Sequence, residues 1–166
     1  MKQTQPQPVL FPQGVYALTP NVGLQCPPDL LLNLVRACLE GGVQWLQFRQ
    51  KNLPPAQWWD LAQEVGCVCR QFGTHLVLND APLNTDVLQI PAVVGVHLGR
   101  HDAGVEPMRA CLGPGAVVGA SCYNSPIWPQ RHRRRVPVMW LLAQCLPVSP
   151  SRRLCMHRLV FLAALR

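Results

Sequence analysis

VQWLQFRQKNLPPAQWWDLAQEVGCVCRQFGTHLVLND, residues 43–80, is the stretch that decides the architecture. Its first six residues form a short, mostly apolar run of strand length. Pro55–Phe72 then carries apolar residues at helical spacing, opened by a Pro pair and stopped by Gly73. Residues 75–78 form a second apolar run that ends in Asn79-Asp80. Strand, helix and strand in that order predict a βαβ unit, in which the helix carries the chain back so that the two strands run parallel.

The same rhythm continues on both sides. Residues 14–19 read as a buried strand closed by Pro20, and 27–40 as a helix with apolar positions Leu30, Leu31, Leu34, Val35, Cys38 and Leu39. Downstream come a weaker helix over 83–89, a strand at Val93–Leu98, a helix over 106–112 stopped by Gly113-Pro114-Gly115, and a strand at Val117–Ser121. About five βα units therefore predict an α/β fold with a parallel sheet. Rhythm alone does not separate an open Rossmann-like sheet from a closed barrel.

Charge divides the chain in two. Residues 1–125 carry seven Lys or Arg against eight Asp or Glu, a net −1, whereas residues 126–166 hold eight Arg and no acid. All twelve glycines lie before residue 126. The overall +7 is thus a property of the tail and not of the α/β part. Arg131-His132-Arg133-Arg134-Arg135 could neutralise nucleic-acid phosphates, but no aromatic platform or recognition helix surrounds it, so no nucleic-acid partner is expected. Residues 1–13, rich in Pro and Gln, read as a disordered leader, giving a division into 1–13, 14–125 and an aberrant Arg/Pro-rich tail over 126–166. Of eight cysteines only Cys67 and Cys69 are close, and a C-x-C on a helix turns its thiols to different faces. With no signal peptide and no apolar run of membrane length, a reduced cytoplasmic setting without a membrane partner is expected. Nothing in the sequence sets the oligomeric state.

In parallel α/β domains the working groups stand where strands end and loops converge. One strand ends in Gln47-Phe48-Arg49-Gln50-Lys51, and alternation puts Gln47, Arg49 and Lys51 on one side. An amide and two cations suit a diphosphate, which Arg can grip bidentately and Lys as a point charge. Asp80 closes the next strand and Asp102 follows the one after it. Two carboxylates beside a diphosphate cradle make a reasonable Mg²⁺ site, since Mg²⁺ prefers one or two carboxylates with phosphate oxygens and water.

The motifs in order resemble the thiamine phosphate synthase family. Tyr16-Ala17-Leu18-Thr19, Gln47-Phe48-Arg49-Gln50-Lys51, Asn79-Asp80, Gly95-Val96-His97-Leu98-Gly99 and Gly119-Ala120-Ser121 stand in the sequence of its Y-A-L-T, Q-x-R-x-K, N-D, G-V-H-L-G and G-x-S blocks, over about residues 14–125. The resemblance implies a (β/α)₈ TIM barrel, incomplete here. It also implies condensation of a hydroxymethylpyrimidine diphosphate with a thiazole phosphate, releasing diphosphate with Mg²⁺. By position it assigns Gln47, Arg49, Lys51, Asn79 and Ser121 to the pyrimidine diphosphate and Asp80 and Asp102 to the metal. It requires no covalent nucleophile. Arg100 replaces the family's usual Gln and Tyr123 its usual His. A thiazole tautomerase shares the barrel, but the Gln47, Arg49, Lys51 trio and the acid pair favour the synthase. A non-catalytic barrel fragment with a basic tail is the other alternative.

The family's later blocks, a Y-V-A-F-G strand, a T-P-T-K-P loop and glycine-rich phosphate loops, are absent from the chain as read. Met139 and Trp140 each have a single codon, and reading residues 138–143 one base earlier permits Tyr-Val-Ala-Phe-Gly. The same frame over 150–158 permits Lys-Pro-Ala-Ala-Val-His-Ala-Pro, with the lysine twelve places after the tyrosine. A frameshift near residues 125–130 is therefore expected, with an enzyme inactive in this form.

Overall fold

The computed structural model of the chain describes residues 14–22, 27–99 and 104–121, and the backbone of 139–141. Six parallel strands stand side by side in chain order: β1 (Tyr16–Leu18), β2 (Trp45–Phe48), β3 (His75–Asn79), β4 (Val93–Leu98), β5 (Val117–Ser121) and β6 (Met139–Leu141). Helix α1 (Pro28–Glu40) links β1 to β2, α2 (Pro55–Phe72) links β2 to β3, and α3 (Val105–Leu112) links β4 to β5. Parallel pairing in strict sequence order is what repeated βα units produce when each crossover has the same hand.

Alternation along each strand separates two faces. Leu46 and Phe48, Leu76 and Leu78, Val96 and Leu98, and Val118 and Ala120 join one buried cluster with the helix residues Leu31, Val35, Leu61, Val65 and Met108. The intervening Tyr16, Trp45, Val77 and Val117 form a second cluster that contains no helix residue. All three helices therefore cover one face, and the other curls inward as in part of a barrel.

Helix α2 shows why the sequence settles this way. Trp58, Leu61, Ala62, Val65, Val68 and Cys69 are buried along one stripe, and Phe48 meets Trp58 edge-on at 5.4 Å between ring centroids. Gly73 ends the helix at φ +66°, a left-handed conformation that costs a glycine little, and the Thr74 N–H returns to the Cys69 carbonyl at 2.9 Å. Between β4 and β5 the spacing leaves no room for a side chain at Gly95, where a Cβ would sit 1.8 Å from the Val117 carbonyl oxygen. At the start of β5, the buried Arg109 of α3 donates from Nη1 to the carbonyls of Gly113 and Ala116, fastening the helix end to the strand.

Three expectations need revision or restriction. The segment over 83–89 is a 3₁₀ turn at Thr85–Gln89 and not an α-helix. Asn84 caps its first turn through the Asp86 N–H at 2.9 Å, and Pro91 follows too closely for a longer helix. The sequence reading treats 126–166 as an aberrant tail outside the βα units, yet within it β6 pairs with β5, Gly119 opposite Met139. The physical reason is local: residues 138–142 are a continuous apolar run, which fits a buried parallel strand whatever surrounds it. The expected disordered leader and the rest of the tail lie outside the described residues. Among the described residues no helix is long and apolar enough to cross a membrane.

Candidate functional site

The expected site residues gather at one end of the sheet. Register places Phe48 opposite Leu78 and Asn79 opposite His97, so Arg49 and Asp80 emerge from the same, C-terminal edge of neighbouring strands. Gln47, Asn79, His97 and Ser121 all point to the face without helices.

Gln47 is almost wholly buried, and its Nε2 donates to the Tyr16 hydroxyl at 3.3 Å. Burial raises the Tyr16 phenol well above its ordinary range, with the Gln47 hydrogen bond a smaller opposing effect, so the ring stays neutral. The segment after Gln47 is held by β1 and its loop. The Arg49 N–H donates to Thr19 Oγ1 at 2.9 Å, and the Lys51 N–H to Asn21 Oδ1 at 2.7 Å. Gln50 donates to the Pro20 carbonyl at 2.6 Å and accepts from the Val22 N–H at 2.8 Å. These bonds fix the backbone from which the Arg49 and Lys51 side chains depart. Arg49 is half-buried and Lys51 exposed.

Lys51 Nζ lies 3.2 Å from the Asp80 carboxylate. Asp80 sits at φ +52°, one of two non-glycine residues with positive φ among those described. That region tolerates Asp and Asn better than other residues, because their short polar side chains bond locally. The Asp80 N–H donates to the His97 carbonyl at 2.9 Å, so the turn is anchored to β4.

His97 and Ser121 form the remaining contact, with Nε2 and Oγ 2.9 Å apart. The imidazole is buried, which pushes its pKa down to about 4, against a smaller upward pull from the Asp80 carboxylate. It is therefore neutral across the physiological range. Its other nitrogen, Nδ1, is buried without a hydrogen-bond partner among the described residues.

Of the seven residues read as site residues, six are placed together: Gln47, Arg49, Lys51, Asn79, Asp80 and Ser121. Asp102 lies outside the described residues. Two participants were missed. Tyr16 backs Gln47, and His97 holds Ser121. A signal for His97 was present, since alternation from Gly95 puts it on the same face as Asn79 in the adjoining strand. Among the described residues no three His, Cys, Asp or Glu side chains come close enough to cage a metal unaided. A single carboxylate such as Asp80 beside the Lys51 cation could hold a Mg²⁺ only if phosphate oxygens and water completed its coordination.

Known proteins resemble the chain over its α/β part. A family model described as thiamine monophosphate synthase matches residues 15–128. The thiamine-phosphate synthase of Thiobacillus denitrificans is 44% identical over 117 residues, covering 69% of this chain and 52% of that protein. That of Xylella fastidiosa is 39% identical over 114 residues, covering 68% and 45%. The structure of thiamine phosphate pyrophosphorylase from Pyrococcus furiosus superposes with a TM-score of 0.55 at 24% identity, covering 70% of this chain and 54% of that one. The chain spans about half the length of the curated relatives it matches.

Proposed function

The chain belongs to the thiamine monophosphate synthase family, and on that footing we propose that it holds the pyrimidine-diphosphate half of a synthase site. Gln47 and Asn79 receive the pyrimidine end, Arg49, Lys51 and Ser121 the diphosphate, and Asp80 with Asp102 a Mg²⁺ carried in with it. The observation that carries this reading is the Lys51–Asp80 contact at 3.2 Å, which sets a cation and a carboxylate side by side at neighbouring strand ends. A Mg²⁺-diphosphate presents the complementary pair. Its oxygens would take Lys51, and its metal would take the carboxylate. When bound, the Mg²⁺ would neutralise charge on a departing diphosphate. The chain's own contribution is positioning, with the backbone fixed by Thr19, Asn21 and Gln50 and charge concentrated at one edge.

The lysine loop that the resemblance implies for the second substrate, a thiazole phosphate, is not encoded in this frame. We therefore assign binding of the pyrimidine diphosphate and Mg²⁺ without useful condensation. The Thiobacillus and Xylella relatives are synthases by name, and no observation favours tautomerase chemistry. Calorimetric titration of the full chain with inorganic diphosphate tests the reading. Binding should require Mg²⁺ and should be lost in Arg49→Ala and Lys51→Ala. Equal affinity with and without Mg²⁺ would reject the metal-linked site, and no binding at all would reject the half-site.

A further inference from the structure

We propose that His97 is a positioning residue whose Nε2–H donates to Ser121 Oγ, committing the Ser121 hydroxyl to donate its own proton to an anionic oxygen of the bound ligand. This deepens the reading above and rests on it for the ligand, a diphosphate. The argument starts from the two nitrogens. A neutral imidazole carries one N–H and one lone pair, and which nitrogen is protonated follows from what the other meets. Nε2 is 2.9 Å from Ser121 Oγ, while Nδ1 is buried with no hydrogen-bond partner among the described residues.

Two arrangements are possible. If Ser121 donated to Nε2, the proton would sit on Nδ1 as a buried N–H with no acceptor. If Nε2–H donates to Ser121, Nδ1 keeps only an unshared lone pair. A buried N–H without an acceptor is the rarer defect, whereas an acceptor with an unshared lone pair is tolerated more often, so the second arrangement is selected. His97 is in no position to move away from this choice. Its ring sits on β4 between Asn79 on β3 and Gly119 on β5, and its carbonyl is held by the Asp80 N–H.

Ser121 then accepts one hydrogen bond and has one proton left over. It stands half-buried at the C-terminal end of β5, on the face that carries Gln47 and Asn79. Diphosphate oxygens are the strongest acceptors that the proposed ligand offers, and a hydroxyl donating to an anion makes a short, charge-assisted bond. The orientation is set by the strand neighbours before any ligand arrives, so no reorganisation is needed on binding.

The experiment has two arms on the full chain. In the first, ¹⁵N–¹H correlation spectra of the imidazoles at neutral pH identify the tautomer of the unaltered protein. The proposal predicts that His97 is protonated at Nε2 alone, and a proton on Nδ1, or a solvent-like mixture of tautomers, overturns it. In the second, inorganic diphosphate is titrated with Mg²⁺ present into Ser121→Ala, His97→Asn, His97→Gln and the double variant Ser121→Ala/His97→Asn. Ser121→Ala and His97→Asn should each weaken binding by roughly tenfold, the scale of one hydrogen bond to a charged group. His97→Gln, whose amide reaches the Nε2 position, should stay within about twofold, and the double variant should be no weaker than Ser121→Ala alone. Additive losses, or failure of Gln to rescue where Asn does not, overturn the positioning role. Should the variants fail to fold, the spectra of the unaltered chain decide the tautomer. If the unaltered chain binds no diphosphate, the half-site fails, while the His97 tautomer is still decided by its own signal.

Discussion

The Lys51 ammonium lies 3.2 Å from the Asp80 carboxylate, tying the loop after β2 to the turn after β3. Both side chains are substantially open to solvent, at 50% and 30%. Such a pair contributes little to folding, on the order of 0–1 kcal/mol. Its position matters more than its strength, because the proposed function gives these two groups to the anion and its metal.

Asp80→Asn separates the two roles. Asn tolerates the left-handed backbone that Asp80 adopts at φ +52°, so the fold should persist. Urea unfolding should shift by no more than about 1 kcal/mol. Diphosphate affinity, in contrast, should lose its dependence on Mg²⁺. A large drop in stability with Mg²⁺ dependence intact would mean that Asp80 serves the fold and not the ligand.

His97 makes stability depend on pH. Its folded pKa, about 4, lies below the ordinary histidine value of 6.5 because burial disfavours the cation. Between those values the unfolded chain binds the extra proton, so stability is full above 6.5 and falls as pH drops towards 4. The loss attributable to this group should be about 2 kcal/mol at pH 5. Urea midpoints at pH 7.5 and 5.0, compared between the unaltered chain and His97→Gln, isolate it. The variant should lose less stability than the parent on acidification.

Close approach of β4 and β5 predicts intolerance at Gly95. A Cβ there would meet the Val117 carbonyl oxygen at 1.8 Å, and backbone cannot swing aside as a flexible side chain can. Gly95→Ala should destabilise the fold by about 3 kcal/mol or more by overpacking. An unchanged denaturation midpoint would show that the two strands are further apart than described.

Thiol reactivity should follow burial. Cys38 is exposed, whereas burial on α2 pushes the Cys69 pKa up to about 12, only partly offset by a backbone hydrogen bond. At pH 8 that leaves about one Cys69 thiol in 10⁴ ionised, so iodoacetamide should label Cys38 before Cys69, and Cys69 only on unfolding. Peptide mapping after timed alkylation reads each cysteine separately. Early labelling of Cys69 would show that α2 does not pack on the sheet.

Much of this fold was legible because each βα unit carries its own punctuation. Pro55–Phe72 was bounded by a Pro pair and Gly73, and its ends were read without error. Residues 83–89 were misread as a helix because apolar spacing over seven residues does not distinguish about two α turns from a capped 3₁₀ turn. The pairing of β6 was missed because glycine and charge content, averaged over the tail, hid a five-residue apolar run that is sufficient for one strand. At the site, charged strand-end residues announced themselves, since Arg49, Lys51 and Asp80 follow apolar runs. The contacts behind them did not. Tyr16–Gln47 and His97–Ser121 join residues 31 and 24 positions apart, and only register brings them together.

Growth of a thiamine auxotroph tests the half-site most directly. Expressed at the level of an intact synthase, the 166-residue chain should fail to rescue growth without added thiamine, while the gene read in the alternative frame downstream of residue 125 should rescue it. Lost positioning of the second substrate can account for about 7 kcal/mol of barrier lowering, which is ample to abolish growth. Rescue by the unaltered chain would contradict the account, because it would show that the residues of the first six strands suffice to hold both substrates.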